Sequence, residues 1–199
     1  MEAFIVDNSY LYIVLTRTNT TLSKLIHALK QDEYTHAAIS LDKELSHMYS
    51  FARRDTYNPF VGRFKREDIH EGVYHLCTTL PGTIIEVEVS KEQYEKAKTL
   101  LDHFILNGER YKYNYRGLVD HLLKRDVCRK DRFLCSEFVY HILSESGIID
   151  AKMPRNLVRP QDLLRVKGRT IYKGDLKKMK VTVQKERAKK GASCYVNAI

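Results

Sequence analysis

The chain lacks most of the features that would settle its class at once. It has no run of about 18 apolar residues, so no segment is expected to span a membrane. Met1-Glu2-Ala3-Phe4-Ile5-Val6-Asp7 has no basic n-region and soon meets charge, which excludes a signal peptide of the usual kind. A cytoplasmic protein is the resulting expectation. The four cysteines, at 77, 128, 135 and 194, form no CxxC pair, and without an export signal they are expected to be reduced thiols. His70, His75 and Cys77 fit no standard zinc spacing, so neither metal nor cofactor is expected. Zinc-finger spacing and RNP-like aromatic motifs are absent, which argues against specific nucleic-acid reading. No internal repeat and no low-complexity linker divides the chain.

What is present reads as an ordinary globular chain: 199 residues, 43% apolar and 30% charged, enough for one domain with a sizeable core. The net charge of +9 is uneven. Residues 177–199 carry +6 and residues 1–176 only +3, so the excess belongs to a basic C-terminal tail. The expected organisation is one domain over 1–176 and a tail over 177–199. Such a tail is either simply solvated or a weak contact for an anionic surface.

Tyr10 to Thr16 is dense in β-formers and predicts a central strand. Thr21 to Gln31 has helical spacing of Leu22, Leu25, Ile26 and Leu29. Tyr34 to Asp42 and His47 to Arg53 predict an antiparallel hairpin. In one register of that hairpin Ser50 lies beside His36 on the same face. Arg54 to Gly72 reads as polar and irregular, and Gly72 to Cys77 and Thr83 to Val89 as two further strands. Ser90 caps a helix running to Asn107, with Glu92 and Gln93 near the capping-box spacing. Tyr111, Tyr113 and Tyr115 alternate; packing on one side explains them more simply than ligand stacking. Gly117 to Lys124 predicts a short helix, Gln161 to Leu164 a helical turn and Thr170 to Tyr172 a short strand.

The stretch that carries chemistry is Arg132-Phe133-Leu134-Cys135-Ser136-Glu137-Phe138-Val139-Tyr140-His141-Ile142-Leu143. Phe138, Val139, Ile142 and Leu143 line one helical face, and Gly147 stands where such a helix would stop. Cys135 then falls at the first turn. A thiolate is favoured at helix N-termini, and the free N–H groups there suit a developing oxyanion. The competing reading is that Cys135 is a small buried hydrophobe. A thiol nucleophile needs a base. His36 is the best candidate because the strand beside it offers polar partners. His27, His103 and His121 lie in helical segments, His141 shares the cysteine's own helix, and His70 and His75 flank the irregular region. His47 is a weaker alternative.

Thr35-His36-Ala37-Ala38-Ile39-Ser40-Leu41-Asp42, Met48-Tyr49-Ser50-Phe51-Ala52-Arg53 and Leu134-Cys135-Ser136-Glu137-Phe138-Val139, in that order, resemble the circularly permuted NlpC-type papain-like proteins, the YiiX-like group. The resemblance spans roughly residues 10–175. It implies an α+β papain-like core in which an antiparallel sheet packs against the cysteine helix. It also implies Cys135 as nucleophile, His36 as general base and Ser50 in the third catalytic position. Serine there is a departure, since related chains carry a carboxylate, an amide or a second histidine. A hydroxyl can accept an imidazole N–H but cannot offset imidazolium charge.

The implied function is a cysteine amidase, peptidase or acyltransferase acting on a small peptide, amide or acyl-lipid substrate. Missing export counts against free access to the bacterial wall. Two other readings stand beside it: a catalytically silent module that keeps the groove, and a basic interaction protein that works through its tail.

Overall fold

The computed structural model describes residues 9–18, 32–53, 62–117, 123 and 125–179. The helices expected over Thr21–Gln31 and Gly117–Lys124 lie wholly or mostly outside these residues, as does nearly all of the basic tail.

Leu11, Ile13 and Leu15 alternate with Tyr12 and Val14 along β1 (Ser9–Thr16), and all five are buried. A strand covered on both faces belongs in the interior of a sheet. β1 indeed pairs with β2 (His36–Ser40) on one side and β5 (Pro81–Val89) on the other, both antiparallel. β3 (Met48–Arg53), β4 (Gly62–Glu67) and β8 (Arg169–Asp175) complete a six-stranded sheet in the order β4-β3-β2-β1-β5-β8. Two further strands, β6 (Lys112–Tyr113) and β7 (Arg132–Phe133), form a short parallel pair. The architecture is mixed α+β, an antiparallel sheet with a few helices.

One face of the sheet carries the larger core. Leu11, Ile13, Leu15, Ala37, Ile39 and Phe51 point into it, and two helices cover them. These are α2 (Lys91–Asn107), started by a capping box between Ser90 and Gln93, and α3 (Cys135–Glu145). Phe51, Phe104, Phe133 and Phe138 interlock beneath α3 with ring centroids 5.1–6.0 Å apart. Offset and edge-on aromatic packing of this kind fixes a helix in angle as well as depth. The opposite face holds a smaller core of Tyr12, Val14, Ala38, Met48, Tyr74, Leu80, Ile84 and Leu176.

Two sequence expectations need correction. Gly72 to Cys77 is not a strand: Gly72–His75 is a short helix, α1. Gly72 sits at φ +57, which no strand tolerates, and the His75 N–H donates to the Glu71 carbonyl as a turn does. Residues 62–67, expected to be irregular, form β4. Phe64 is the one large apolar side chain in Gly-Arg-Phe-Lys-Arg-Glu, and the charges that obscured the strand are ordinary at a sheet edge. The turn expected at Gln161–Leu164 is 3-10 helix over Pro160–Arg165.

Candidate active site

His36 is the first residue of β2, so its ring lies at a strand end and not in mid-sheet. The β2–β3 register pairs Ser40 with Met48 and Ile39 with Tyr49. Continued, it sets Ser50 opposite Ala38, two positions from His36 on the same face. Glu67, the last residue of β4, pairs with Met48 and shares that face. Three neighbouring strands thus deliver His36, Ser50 and Glu67 to one place.

The geometry is tight. His36 Nε2 lies 2.8 Å from Glu67 Oε2 and 3.2 Å from Ser50 Oγ. Ser50 Oγ donates to the same Glu67 oxygen at 2.9 Å, and the Tyr74 hydroxyl donates to it at 3.3 Å. Tyr74 also sets its ring edge-on to the imidazole, 6.2 Å between centroids. Glu67 is 7% exposed and His36 16%, so this is a largely dry carboxylate–imidazole pair.

Cys135 completes the arrangement. It is the first residue of α3, whose N-terminus has no side-chain cap, and it is 7% exposed. Its sulfur is near enough to His36 to act on the imidazole electrostatically and make it more basic. Burial on its own would make the imidazole less basic. The Glu67 carboxylate first, and Cys135 after it, outweigh burial and push His36 up to about 10. Burial likewise opposes charge on Glu67, yet His36 and the Ser50 hydroxyl hold its carboxyl below the ordinary range. Tyr74 is held well above its ordinary value by burial and by Glu67, so it remains a donor.

A single four-residue stretch braces both sides of the pair. The Ser136 hydroxyl, next to Cys135, donates to the Val158 carbonyl at 2.6 Å. Gln161 Oε1 accepts from the Glu33 and Tyr34 N–H groups at 3.1 and 3.3 Å, just before His36. Arg159 joins Asp32 at 2.9 Å and Asp162 at 3.0 Å. The cysteine helix and the histidine strand are therefore tied to the same short segment. Glu137 and Asn114, both fully buried, make a second brace: Asn114 Nδ2 donates to Glu137 Oε1 at 3.0 Å, and Asn114 Oδ1 accepts from Gly117.

The three residues named from the sequence, Cys135, His36 and Ser50, are brought together. Glu67 and Tyr74 join them without having been expected. Glu67 was hidden by its setting: an acid closing a strand rich in cations reads as surface, and nothing local says that it turns inward. Ser50 does not stand alone beside His36, because the oxygen it donates to is the carboxylate that binds His36.

Among the described residues the other histidines lie elsewhere. His47 bonds Asp42 at 2.7 Å in an exposed turn, and His103 bonds the Tyr111 hydroxyl at 2.9 Å. His141 packs against Phe133 and Phe104, and burial followed by Arg155 holds it below its ordinary value. The tyrosine stretch packs on itself, with the Tyr113 and Tyr115 rings 4.7 Å apart. Among the described residues no group of three or more His, Cys, Asp or Glu side chains is placed to hold a metal ion, and no helix is long and apolar enough to cross a membrane.

Ser50→Ala removes one of three donors to Glu67 and keeps the ion pair. Its expected cost is about 1–2 kcal/mol of stability and less than a roughly tenfold loss in Cys135 alkylation rate. Urea denaturation and iodoacetamide kinetics check both numbers. A loss as large as that of Glu67→Gln would make Ser50, and not Glu67, the group that matters to His36.

Comparison of the chain with protein-family models, with curated proteins and with solved structures finds no match in any of the three.

Proposed function

We propose that this protein is a cysteine-dependent hydrolase or acyltransferase, built as a permuted papain-like core with the histidine strand ahead of the cysteine helix. The observation that carries the reading is the His36 ring, bound to the Glu67 carboxylate at 2.8 Å and near enough to Cys135 for the sulfur to make it more basic. Glu67 gives the imidazolium the negative partner that Ser50 alone could not. The doubt that a lone serine raised, and with it the main ground for a silent module, loses force.

In the proposed reaction Cys135 sulfur attacks the carbonyl carbon of an amide, ester or thioester. An S–C bond forms and the carbonyl π pair moves to oxygen, where the uncapped N–H groups at the start of α3 stabilise it. The C–N, C–O or C–S bond then breaks as the His36 imidazolium protonates the leaving group. Neutral His36 takes a proton from the acceptor, which attacks the acyl-enzyme and frees the thiol. Water as acceptor makes an amidase or peptidase, and another nucleophile makes an acyltransferase. Small peptides, amides and acyl lipids are the substrates this chemistry suits, and it needs no cofactor.

Competitive alkylation tests the reading. Cys128 is exposed, while Cys77 and Cys135 are buried. If access alone ruled, Cys128 would react first. Activation by His36 predicts instead that iodoacetamide at about pH 6.5, where ordinary thiols are mostly protonated, labels Cys135 ahead of Cys128. His36→Ala should restore the order of exposure. Labelling of wild type in the order of exposure would sink the proposal.

A further inference from the structure

β4 ends the sheet, and among the described residues no strand pairs with its outer side. An edge strand presents unpaired N–H and C=O groups. A groove of about 830 Å³ runs beside this edge, walled by the end of α2 and by residues 108–112. Arg63, Lys65, Arg66 and Lys112 line it, against one acid, Glu109. Ile105 and Leu106 line it too, and they are 47% and 83% exposed. Cations on an edge ordinarily keep a second sheet away. Exposed aliphatic side chains beside them do not serve that purpose and mark a contact surface.

We propose that the outer edge of β4 takes an extended peptide segment of alternating acidic and aliphatic residues, added as a seventh strand. The alternation follows from the pleat. Arg63 and Lys65 share one face of β4, while Phe64 turns to the face covered by α2. A strand laid alongside presents its side chains to the same two faces. Those on the first meet Arg63 and Lys65, and those on the second meet Ile105 and Leu106 beside Arg66. Main-chain hydrogen bonds supply affinity and the two faces supply selection. β4 is six residues long, which sets the length of the segment. The surface is independent of the Cys135 chemistry and holds whether or not that thiol reacts.

The test uses the full chain and a fluorescein-labelled peptide, acetyl-Glu-Val-Glu-Val-Glu-Val-amide, read by anisotropy. A second peptide is identical except for N-methyl groups on alternate amides, which remove the pairing hydrogen bonds and keep the charge. Saturable binding is expected that weakens with salt and is at least tenfold weaker for the N-methylated peptide. Arg63→Glu/Lys65→Glu, the two cations of the first face, should weaken it by tenfold or more, and Leu106→Ser by about threefold. Equal binding of the two peptides, or indifference to the double charge reversal, overturns the proposal and assigns the attraction to the basic tail. Absence of saturable binding overturns it as well.

Discussion

Glu67→Gln is expected to slow alkylation of Cys135 at neutral pH by roughly 10- to 100-fold while the fold survives. The argument begins with the proton. An opposite charge in direct contact lifts an imidazole by about 1–3 units, and each unit is a tenfold preference for keeping the proton on the ring. Glu67 is the leading cause that raises His36 against burial. Glutamine fills the same space and can still accept from Ser50 or Tyr74, so the change removes charge with little change of shape. With the imidazolium less favoured, the Cys135 proton is held more on sulfur and the nucleophile population falls. The rate should fall and its pH profile should change form. The change of form is expected where the His36 imidazole titrates, because Glu67 no longer holds its proton. Iodoacetamide kinetics between about pH 5 and 9 measure both. Glu67→Ala is less informative, since it strands His36, Ser50 and Tyr74 in a buried space and should cost roughly 3–5 kcal/mol of stability. A Gln variant with the wild-type rate and profile would show that the carboxylate does not govern His36.

The site was half legible in the sequence, and the division has a physical reason. Cys135 could be placed at a helix start because the apolar face of Phe138, Val139, Ile142 and Leu143 sets the phase of the helix. The face of β2 followed in the same way: Ala37 and Ile39 enter the larger core and Ala38 the smaller one, which sets the face of His36, whereas Ser50 beside it depended on a hairpin register that periodicity does not set. Periodicity works where half of a strand must be buried. β4 has no such constraint on its outer side, so its charges dominate its pattern and Glu67 looks like one more solvated residue. Its burial arises from Met48 and His36, both far off in the chain, and from Tyr74, seven positions on beyond a turn, and no strand periodicity encodes that. The bracing by Ser136–Val158 and Gln161–Glu33 was illegible for the same reason, since the last of these joins residues 128 positions apart.

The pair should also leave a mark on stability. Glu67 is held below its ordinary value of 4.5, so its contribution is present above about that pH and is lost as the pH falls through its folded value. His36 is raised from 6.5 to about 10, so its contribution is complete below 6.5 and is lost as the pH rises towards 10. The two windows overlap between about pH 4.5 and 6.5, and there the pair contributes most. The comparison to make is wild type against His36→Gln/Glu67→Gln, which removes both charges and leaves neither buried alone. A buried pair costs desolvation, so the absolute difference between the two proteins can take either sign. The shape of the difference is the prediction: wild type should lose on the order of 2–4 kcal/mol relative to the double variant between pH 6 and pH 10. Cys135→Ala should flatten part of that slope, because the sulfur shares in raising His36. Urea midpoints at about pH 5.5, 7.5 and 9.5 are enough to draw the curve. A difference that stays constant across them would mean that the folded protein does not hold a proton on His36, and the thiolate–imidazolium proposal would lose its electrostatic basis.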